Sequence, residues 1–385
     1  MSSIPPQNTS PRFYIPSLDG IRGIAILLVF FSHAGLDRII PGGLGVTIFF
    51  FLSGYLITTL LRRELEGTGH IDFKQFYIRR MLRIWPAFYF VLIAGAALTV
   101  FGFLPGVIQP TPLLSQILHF GNYYAIFHGN AGTSIGTGIY WSLAVEEHFY
   151  LVFPFVYYLV VKVGVKARGQ MLILMFMCVA FLAWRYVLVV EMDMDDHRSY
   201  YASDTRVDSI LYGSMLAILG NPVMDRVRFS DRVWKLFLVP ASLALIAFTL
   251  LYRSPDFRET VRYSLQGIAL YPLFTAAIRH PDWLPFRILN TRVVRFFGWI
   301  SYPLYLVHFT VLRAFLTSSF HPVVEGALSF VVSIILAYAI YRLIEQPIAK
   351  LRKKHSHPGP SQPSGRPEVI LAGPAVPRLG SDPAS

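Results

Sequence analysis

The first apolar segment of the chain contains an arginine, Arg22, and a histidine, His33, that are eleven residues apart. At about 100° and 1.5 Å per residue, this spacing places both side chains on one face of an α-helix, separated by a rise of roughly 16 Å. A charged group in membrane hydrocarbon costs on the order of 2.5 to 3.5 kcal/mol, so each residue requires a role. Asp19 lies three residues before Arg22, where it is placed to pair with it. In the alternative interpretation, Arg22 reaches lipid phosphates and His33 hydrogen-bonds a neighbouring helix.

The second candidate group is a basic run before the third apolar segment. It contains Arg79, Arg80 and Arg83, and arginines three or four residues apart share a helix face. Their planar donors suit bidentate binding of phosphate. The alternative is that the run only anchors the chain on the cytoplasmic side of the membrane.

The third group lies one to two turns inside a later apolar segment, where Glu146 and Glu147 are adjacent. We expect these carboxylates to converge with His33 and His308 in the outer half of the membrane. A carboxylate bonded to one imidazole nitrogen raises the basicity of the other, which makes the histidine a general base. The alternative is structural pairing of a carboxylate with an arginine such as Arg185.

Two other kinds of site have less support. Ser53 and Ser142 lie in apolar segments, but neither stands in a nucleophile-elbow motif. No pair of histidines has the spacing of metal ligands, and a single cysteine, Cys178, provides no disulfide framework. We therefore expect no metal site.

The composition is that of an integral membrane protein. Of 385 residues, 54% are hydrophobic and only 15% are charged, whereas about a quarter are charged in soluble domains. The formal net charge of +12 resides in short basic clusters between apolar runs. This pattern is typical of membrane topology and argues against nucleic acid as a partner.

The apolar runs predict an all-α fold, a polytopic membrane protein with about ten transmembrane helices. The predicted spans are 17–36, 44–62, 84–104, 140–161, 171–190, 206–220, 234–252, 262–278, 296–316 and 324–344. The two alternating sets of connections carry 17 and 6 Lys and Arg residues, respectively. Because positive charge favours the inside, both termini are expected to be cytoplasmic.

The sequence divides into three predicted parts. A polar N-terminal segment covers residues 1–16 and does not have the pattern of a cleavable signal peptide. The transmembrane domain covers residues 17–354. Residues 355–385 are rich in Pro, Gly and Ser, which predicts a disordered cytoplasmic tail.

In this order and at this spacing, the motifs resemble those of the membrane-bound acyltransferase 3 family. Its members O-acylate bacterial surface polysaccharides, lipid-linked glycans, peptidoglycan and some macrolides. The resemblance extends from about residue 13 to residue 354, with Thr47 and His148 departing from the residues that the family often has there. Its motifs are Ser17–Ala25 followed by the histidine at position 33, Gly45–Ile57, Phe76–Pro86, Trp141–Tyr150, Ser301–His308 and Glu345–Pro347.

The resemblance implies an enzyme of the bacterial inner membrane that moves an acyl group from acyl-CoA to a hydroxyl group. Acetyl is the default acyl group, acyl-CoA is a co-substrate, and no cofactor is bound permanently. The acceptor is a carbohydrate, a glycolipid or a macrolide, and membrane lipid surrounds the protein.

The resemblance also implies roles for the candidate residues. Arg22, Arg80 and Arg83 are expected to bind the donor phosphates. His33 is expected to act as general base, oriented by Glu147 or Glu146. The expected supporting residues are Asp19, Arg79, Trp141, Ser142 and His308.

Several alternatives remain at this point. An acyl-histidine relay through His33 competes with direct attack by the acceptor. A multi-pass transporter or flippase is the rival function, because intramembrane charges also serve translocation of polar or lipid-linked substrates. A membrane scaffold held by ion-paired helices is a third class. Release of free thiol from acyl-CoA distinguishes the enzyme from both.

Overall fold

The computed structural model of the protein describes residues 12–13, 15–226, 229–315, 321–354 and 368–369. These residues are helical almost throughout, which confirms the predicted all-α fold. The helices are α1 (Pro16–Phe31), α2 (Gly42–Thr68), α3 (Phe73–Val100), α4 (Pro110–Ile117), α5 (Gly121–His128), α6 (Trp141–Lys162), α7 (Ala167–Tyr186), α8 (Asp196–Tyr201), α9 (Ser203–Ile218), α10 (Val239–Leu251), α11 (Pro255–Glu259), α12 (Val261–Arg279), α13 (Leu284–Arg287), α14 (Arg292–Trp299), α15 (Ser301–Phe315), α16 (Pro322–Ile340) and α17 (Gln346–Lys354).

Short irregular elements adjoin several of these helices. The π-helical turns are Ser32–Leu36, Val187–Glu191, Trp234–Leu238 and Tyr341–Glu345, the 3₁₀ turns are Thr137–Tyr140 and Ile288–Asn290, and Asp231–Val233 forms a single helical turn. Two strands of two residues, Arg12–Phe13 and Glu368–Val369, pair in parallel. The expected disorder of residues 355–385 otherwise falls outside the described residues.

Seven helical segments of the described residues are long and apolar enough to cross a membrane. They are Pro16–Leu36, Gly42–Thr68, Phe73–Val100, Thr137–Lys162, Ala167–Glu191, Asp231–Leu251 and Pro322–Leu351. Each overlaps one of the predicted spans, and together they make the protein a multi-pass membrane protein.

The three remaining predicted spans are also helical, but they are short or more polar. α9 has 16 residues, α12 has 19 residues and contains Gln266, and the span 296–316 is divided between α14 and α15. The count of about ten spans and the cytoplasmic position of both termini therefore stay predictions.

The helices α2 and α9 pack with their backbones in contact. A Cβ atom on Gly54 would lie 1.9 Å from the carbonyl oxygen of Ile210, and a Cβ atom on Gly213 would lie 1.9 Å from that of Phe51. Small residues permit this close approach between helices in a membrane. α2 and α9 therefore form the centre of the bundle.

The helix α1 packs in the same way against α14. A Cβ atom on Gly23 would lie 2.1 Å from the carbonyl oxygen of Val294, and one on Gly298 would lie 1.9 Å from that of Asp19. This contact holds α14 against the end of α1 that carries Arg22.

A fully buried ion pair connects α7 to α9. Arg185 Nη2 lies 2.9 Å from Asp208 Oδ2, and both side chains have 0% exposure. The guanidinium also donates to the carbonyl oxygen of Thr260 at 3.0 Å and to Ser264 Oγ at 3.2 Å. Arg185 therefore pairs with Asp208 and not with the adjacent glutamates of α6.

Candidate active site

The end of α1 presents His33 on an irregular turn. The helix continues from Phe31 into the π-helical turn Ser32–Leu36, in which Gly35 has a φ of 93°. Glycine adopts a positive φ at little cost, so the chain turns away directly after the histidine. His33 is consequently exposed.

His33 contacts His308 of α15. Nδ1 of His33 lies 3.0 Å from Nε2 of His308, and the ring centroids are 5.2 Å apart with an angle of 26° between the planes. His308 is fully buried, with 0% exposure. The pair thus combines an exposed imidazole with a buried one.

The backbone of α15 determines which nitrogen of His308 carries the proton. Nδ1 of His308 lies 2.9 Å from the carbonyl oxygen of Tyr305 and 3.1 Å from that of Leu304. Carbonyl oxygens only accept hydrogen bonds, so Nδ1 is the donor and, in a neutral pair, Nε2 is an acceptor. His33 must then donate from Nδ1, which leaves the lone pair on its Nε2. A general base requires an unprotonated nitrogen, and this tautomer provides it at Nε2.

Tyr305 connects the histidine pair to α6. Its hydroxyl lies 2.6 Å from Ser142 Oγ and donates to the carbonyl oxygen of Ile139 at 2.7 Å. Ser142 and the adjacent Trp141 are both buried. Ser142, one of the residues predicted to support the site, therefore contacts the helix that carries His308.

An aromatic ring and a cation flank His33. The ring of Phe309 is centred 4.6 Å from that of His33. The guanidinium of Arg313, one turn further along α15, lies 5.0 Å from the centre of the same Phe309 ring. Arg313 brings positive charge close to His33, and the sequence analysis did not identify it.

The structure places Glu146 in a hydroxyl network and not beside His33. Ser53 Oγ donates to Glu146 Oε1 at 2.8 Å, and the Tyr150 hydroxyl donates to Oε2 at 3.0 Å. The guanidinium of Arg80 lies 5.1 Å from the centre of the Tyr150 ring. Glu146 is therefore associated with the basic run of α3.

Glu147 is half-buried and faces the indole of Trp85. Glu147 Oε1 and Trp85 Nε1 are both inaccessible and make no hydrogen bond of normal geometry within the described residues. Neither carboxylate of the pair bonds His33 in this conformation, in which His308 is the partner of His33. The catalytic assignment of both glutamates stays a prediction.

At the other end of α1, Arg22 pairs with Asp19 as the sequence predicted. Arg22 Nη1 lies 3.5 Å from Asp19 Oδ1, and Trp299 Nε1 donates to Asp19 Oδ2 at 3.0 Å. The Arg22 side chain has 12% exposure. Asp19 thus orients the arginine while α14 holds Asp19.

The three arginines of the basic run differ in their contacts. Arg79 Nη2 lies 3.2 Å from Glu64 Oε2, an ion pair that joins α3 to α2. Arg80 and Arg83 form no ion pair within the part of the chain that the structure describes. Their guanidinium groups are consequently the ones available for a phosphate.

A pattern of the type Gly-x-Ser-x-Gly does occur in the sequence, at Gly132–Gly136, and the sequence analysis overlooked it. It lies in the connection between α5 and α6 and not in a turn from a strand to a helix. Its serine, Ser134, is 3% exposed, and Oγ has no hydrogen-bond partner among the described residues. No base in the described part of the chain hydrogen-bonds this serine, so these residues give it no triad geometry.

The connection between α4 and α5 contains a buried histidine, His119, whose ring is centred 4.7 Å from that of Phe88. Burial, with a contribution from His148, lowers the pKa of His119 to about 4, so that it is neutral at pH 7.

Among the described residues, no group of three or more His, Cys, Asp and Glu side chains is arranged to hold a metal ion.

The sequence of this chain is similar to a family model and to curated proteins of other bacteria. A family model described as an acyltransferase domain matches residues 15–342. The chain is 30% identical over 363 residues to the peptidoglycan O-acetyltransferase OatA of Listeria monocytogenes, covering 88% of this chain and 56% of that protein. It is 31% identical over 357 residues to the Bacillus subtilis protein named "Putative peptidoglycan O-acetyltransferase YrhL", again covering 88% and 56%.

The chain thus spans a little more than half the length of these two relatives. No solved structure matches the chain with statistical significance.

Proposed function

This chain belongs to the acyltransferase family whose model it matches, and we propose that it is an O-acyltransferase of the bacterial cell membrane. In this proposal it moves an acyl group, acetyl by default, from cytosolic acyl-CoA to a hydroxyl group of a carbohydrate or glycolipid acceptor. The acceptor class is suggested by relatives that are named for O-acetylation of peptidoglycan.

The observation that carries this proposal is the contact between His33 and His308. The contact leaves the lone pair on Nε2 of His33, an exposed residue at the end of α1, while His308 is held by two backbone carbonyl oxygens. A positioned imidazole with a free lone pair removes a proton from an attacking hydroxyl group, an effect of about 10² to 10⁴ in rate.

The proposed reaction conserves atoms and protons without any further reactant. Nε2 of His33 takes the proton of the acceptor hydroxyl group. At the same time, the oxygen of that hydroxyl group forms a bond to the thioester carbonyl carbon. The bond between carbon and sulfur then breaks, and the CoA thiolate takes the proton from Nε2 of His33. His308 holds the ring throughout, in place of the glutamate expected from the sequence.

The donor is proposed to approach from the end of α1 that carries Arg22. The excess of Lys and Arg in the connections on this side supports its being cytoplasmic. Arg80 and Arg83, which form no ion pair among the described residues, supply donors for the phosphates of acyl-CoA, together with Arg22. Arg22 and His33 are separated by a rise of roughly 16 Å, which is of the order of the pantetheine arm.

The proposal is tested with radioactive acetyl-CoA in membranes that contain the wild type, His33→Ala or His128→Ala. His128 is a matched control because it is also an exposed histidine at a helix end and has no contact with His308. We expect label in a glycan or lipid fraction with wild type and His128→Ala, and about 10²-fold less with His33→Ala. Equal labelling by all three proteins contradicts the role of His33.

The same membranes distinguish the remaining alternatives. A transporter or flippase releases no free CoA thiol, so thiol release that depends on His33 excludes it. Label bound covalently to the protein after addition of donor alone indicates the acyl-histidine relay. Release of thiol only in the presence of acceptor indicates direct attack.

A further inference from the structure

The first turn of α9 contains a second fully buried arginine, Arg206, with 0% exposure. Its Nε, Nη1 and Nη2 atoms are all inaccessible, and none has a hydrogen-bond partner among the described residues. Arg185, which is equally buried, donates instead to a carboxylate, a hydroxyl and backbone carbonyl oxygens. The described residues therefore supply acceptors to Arg185 and none to Arg206.

Aromatic rings surround the Arg206 guanidinium. The distances from its Cζ to the ring centres are 3.8 Å for Tyr263, 4.9 Å for Tyr200, 5.5 Å for Trp141 and 5.6 Å for Phe50. Rings attract a cation through their faces. They do not accept the five hydrogen bonds that a guanidinium can donate in its own plane.

A buried cation without a counter-ion destabilises a protein strongly, and a buried donor without an acceptor adds to this cost. The four aromatic rings, here called the cage, compensate the charge of the guanidinium in part and leave its hydrogen-bond donors unused. Within the described part of the chain the site therefore lacks an acceptor, and a planar guanidinium with free donors suits a phosphate or carboxylate best.

The cage also adjoins the histidine pair. Trp141, one of its walls, is followed by Ser142, whose Oγ lies 2.6 Å from the hydroxyl of Tyr305. Tyr305 in turn accepts His308 Nδ1–H on its backbone carbonyl oxygen. A ligand at Arg206 would therefore be connected to His308 through Trp141, Ser142 and Tyr305.

We propose that Arg206 binds an oxyanion of the acceptor substrate, a phosphate or a carboxylate, within the cage of Phe50, Trp141, Tyr200 and Tyr263. The assignment of this anion to the acceptor rests on the proposed function, whereas the anion site itself does not. Tyr200 lies on α8 and is partly exposed, so this wall of the cage is also protein surface and provides the route for the anion. The acceptor is then an acidic sugar or a lipid-linked sugar phosphate.

The test measures binding to the purified full-length protein in a neutral detergent, without acyl-CoA. The probes are inorganic phosphate, glucuronate and dioctanoylphosphatidic acid, which separate free phosphate, a sugar carboxylate and a lipid phosphate. Glucose and dioctanoylglycerol are the neutral counterparts, and potassium chloride keeps the ionic strength constant. The readouts are the thermal unfolding midpoint and the tryptophan fluorescence, since Trp141 lies in the cage.

We expect at least one of the anions to raise the unfolding midpoint and change the fluorescence of the wild type, with the neutral counterparts inactive. Arg206→Met should weaken the binding of that anion by about tenfold or more. Arg206→Lys keeps the charge without the planar donors and should bind with intermediate affinity. Trp141→Phe should bind the anion with a reduced fluorescence response.

Two results overturn the proposal. One is the absence of any response of the wild type to all three anions. The other is an affinity for the anion that is the same in the wild type, in Arg206→Lys and in Arg206→Met. If Arg206→Met does not fold, Arg206→Lys and Tyr200→Ala, which removes the partly exposed wall, decide the question. Because acyl-CoA is absent, these results do not depend on whether acyl transfer occurs.

Discussion

Nδ1 of His33 lies 3.0 Å from Nε2 of His308, although 275 residues separate them in the chain. The proton on Nδ1 of His308 is held by backbone carbonyl oxygens of its own helix, so His308 presents an acceptor to His33. The orientation of the proposed general base thus depends on one helix, α15, and on no carboxylate among the described residues.

The first prediction concerns His308 as a positioning residue. His308→Ala is expected to lower kcat by about 10²-fold, because His33 loses the partner that fixes its tautomer. The KM for acyl-CoA should not change, since His308 lies far from the proposed donor phosphates. His308→Gln should recover part of the rate, because its amide oxygen also accepts from His33 Nδ1. If the rate of both variants falls only in proportion to their amount of folded protein, His308 has a structural role alone.

The second prediction concerns the donor site. Arg80→Met and Arg83→Met should each raise the KM for acyl-CoA by about tenfold, because each substitution removes roughly one charge-assisted hydrogen bond. Arg79→Met is the matched control, because Arg79 is paired with Glu64 and should affect thermal stability more than KM. Steady-state kinetics in membranes measure both constants. An unchanged KM in the variants of Arg80 and Arg83 argues against phosphate binding by these residues.

The third prediction concerns the contact between α2 and α9. Gly213→Ala should destabilise the protein by more than about 2 kcal/mol, because a Cβ atom there would lie 1.9 Å from the carbonyl oxygen of Phe51. Gly67→Ala, in α2, has no atom within 4 Å of the added Cβ and should raise stability by about 0.5 to 1 kcal/mol. Thermal unfolding in detergent measures both changes. Equal midpoints for the two variants would contradict the backbone contact.

The fourth prediction concerns the buried ion pair of Arg185 and Asp208. Asp208→Leu alone should destabilise the protein by about 3 to 5 kcal/mol, because it leaves a buried cation without its counter-ion. The double variant Arg185→Met with Asp208→Leu should be closer to the wild type, because it removes both charges. A double-variant cycle of unfolding free energies measures the coupling. Additive effects of the two substitutions would mean that the pair is not coupled.

The fifth prediction concerns pH and Asp225. Burial opposes ionisation of Asp225, but two hydrogen bonds from Arg62 and two backbone amides outweigh it, so the pKa of Asp225 lies below its usual value. A carboxyl group with a lowered folded-state pKa stabilises the fold above its unfolded pKa of about 3.9. This stabilisation is lost as the pH falls from about 5 through the folded-state pKa.

Asp225→Asn should therefore lower the unfolding midpoint at pH 7, and its difference from the wild type should shrink as the pH is lowered towards 3. Asp282→Asn, an exposed aspartate in the connection after α12, is the control and should behave like the wild type at each pH. A difference that is independent of pH would show that the charge of Asp225 does not contribute.

Several members of the candidate site were predicted from the sequence, but most of their partners were not. Helical periodicity predicted that Asp19 pairs with Arg22, because both lie on one turn of one helix. Convergence of His33 with His308 was expected, and their direct contact is observed. The expected contact of His33 with Glu146 is not observed, because Ser53 and Tyr150 take both oxygens of that carboxylate.

The residues that the sequence analysis missed have no local signal. Arg206 lies in an unremarkable polar turn at the start of α9, and only the packing of α2, α6, α8 and α12 around it makes the cage. Arg185 was considered as a partner of the α6 glutamates, but it pairs with Asp208 of α9. Charge complementarity alone does not distinguish between carboxylates on different helices.

The sequence by itself determined the all-α membrane fold, the approximate positions of seven spans, the family, and the residues on one face of α1. These properties depend on hydrophobicity and helical period, which are local and are not changed by packing. The tertiary structure alone decided the partner of His33, the lack of an acceptor for Arg206 among the described residues, and the association of Glu146 with α3. These properties depend on distances of a few ångströms between helices far apart in the chain, and the register of helix packing sets those distances.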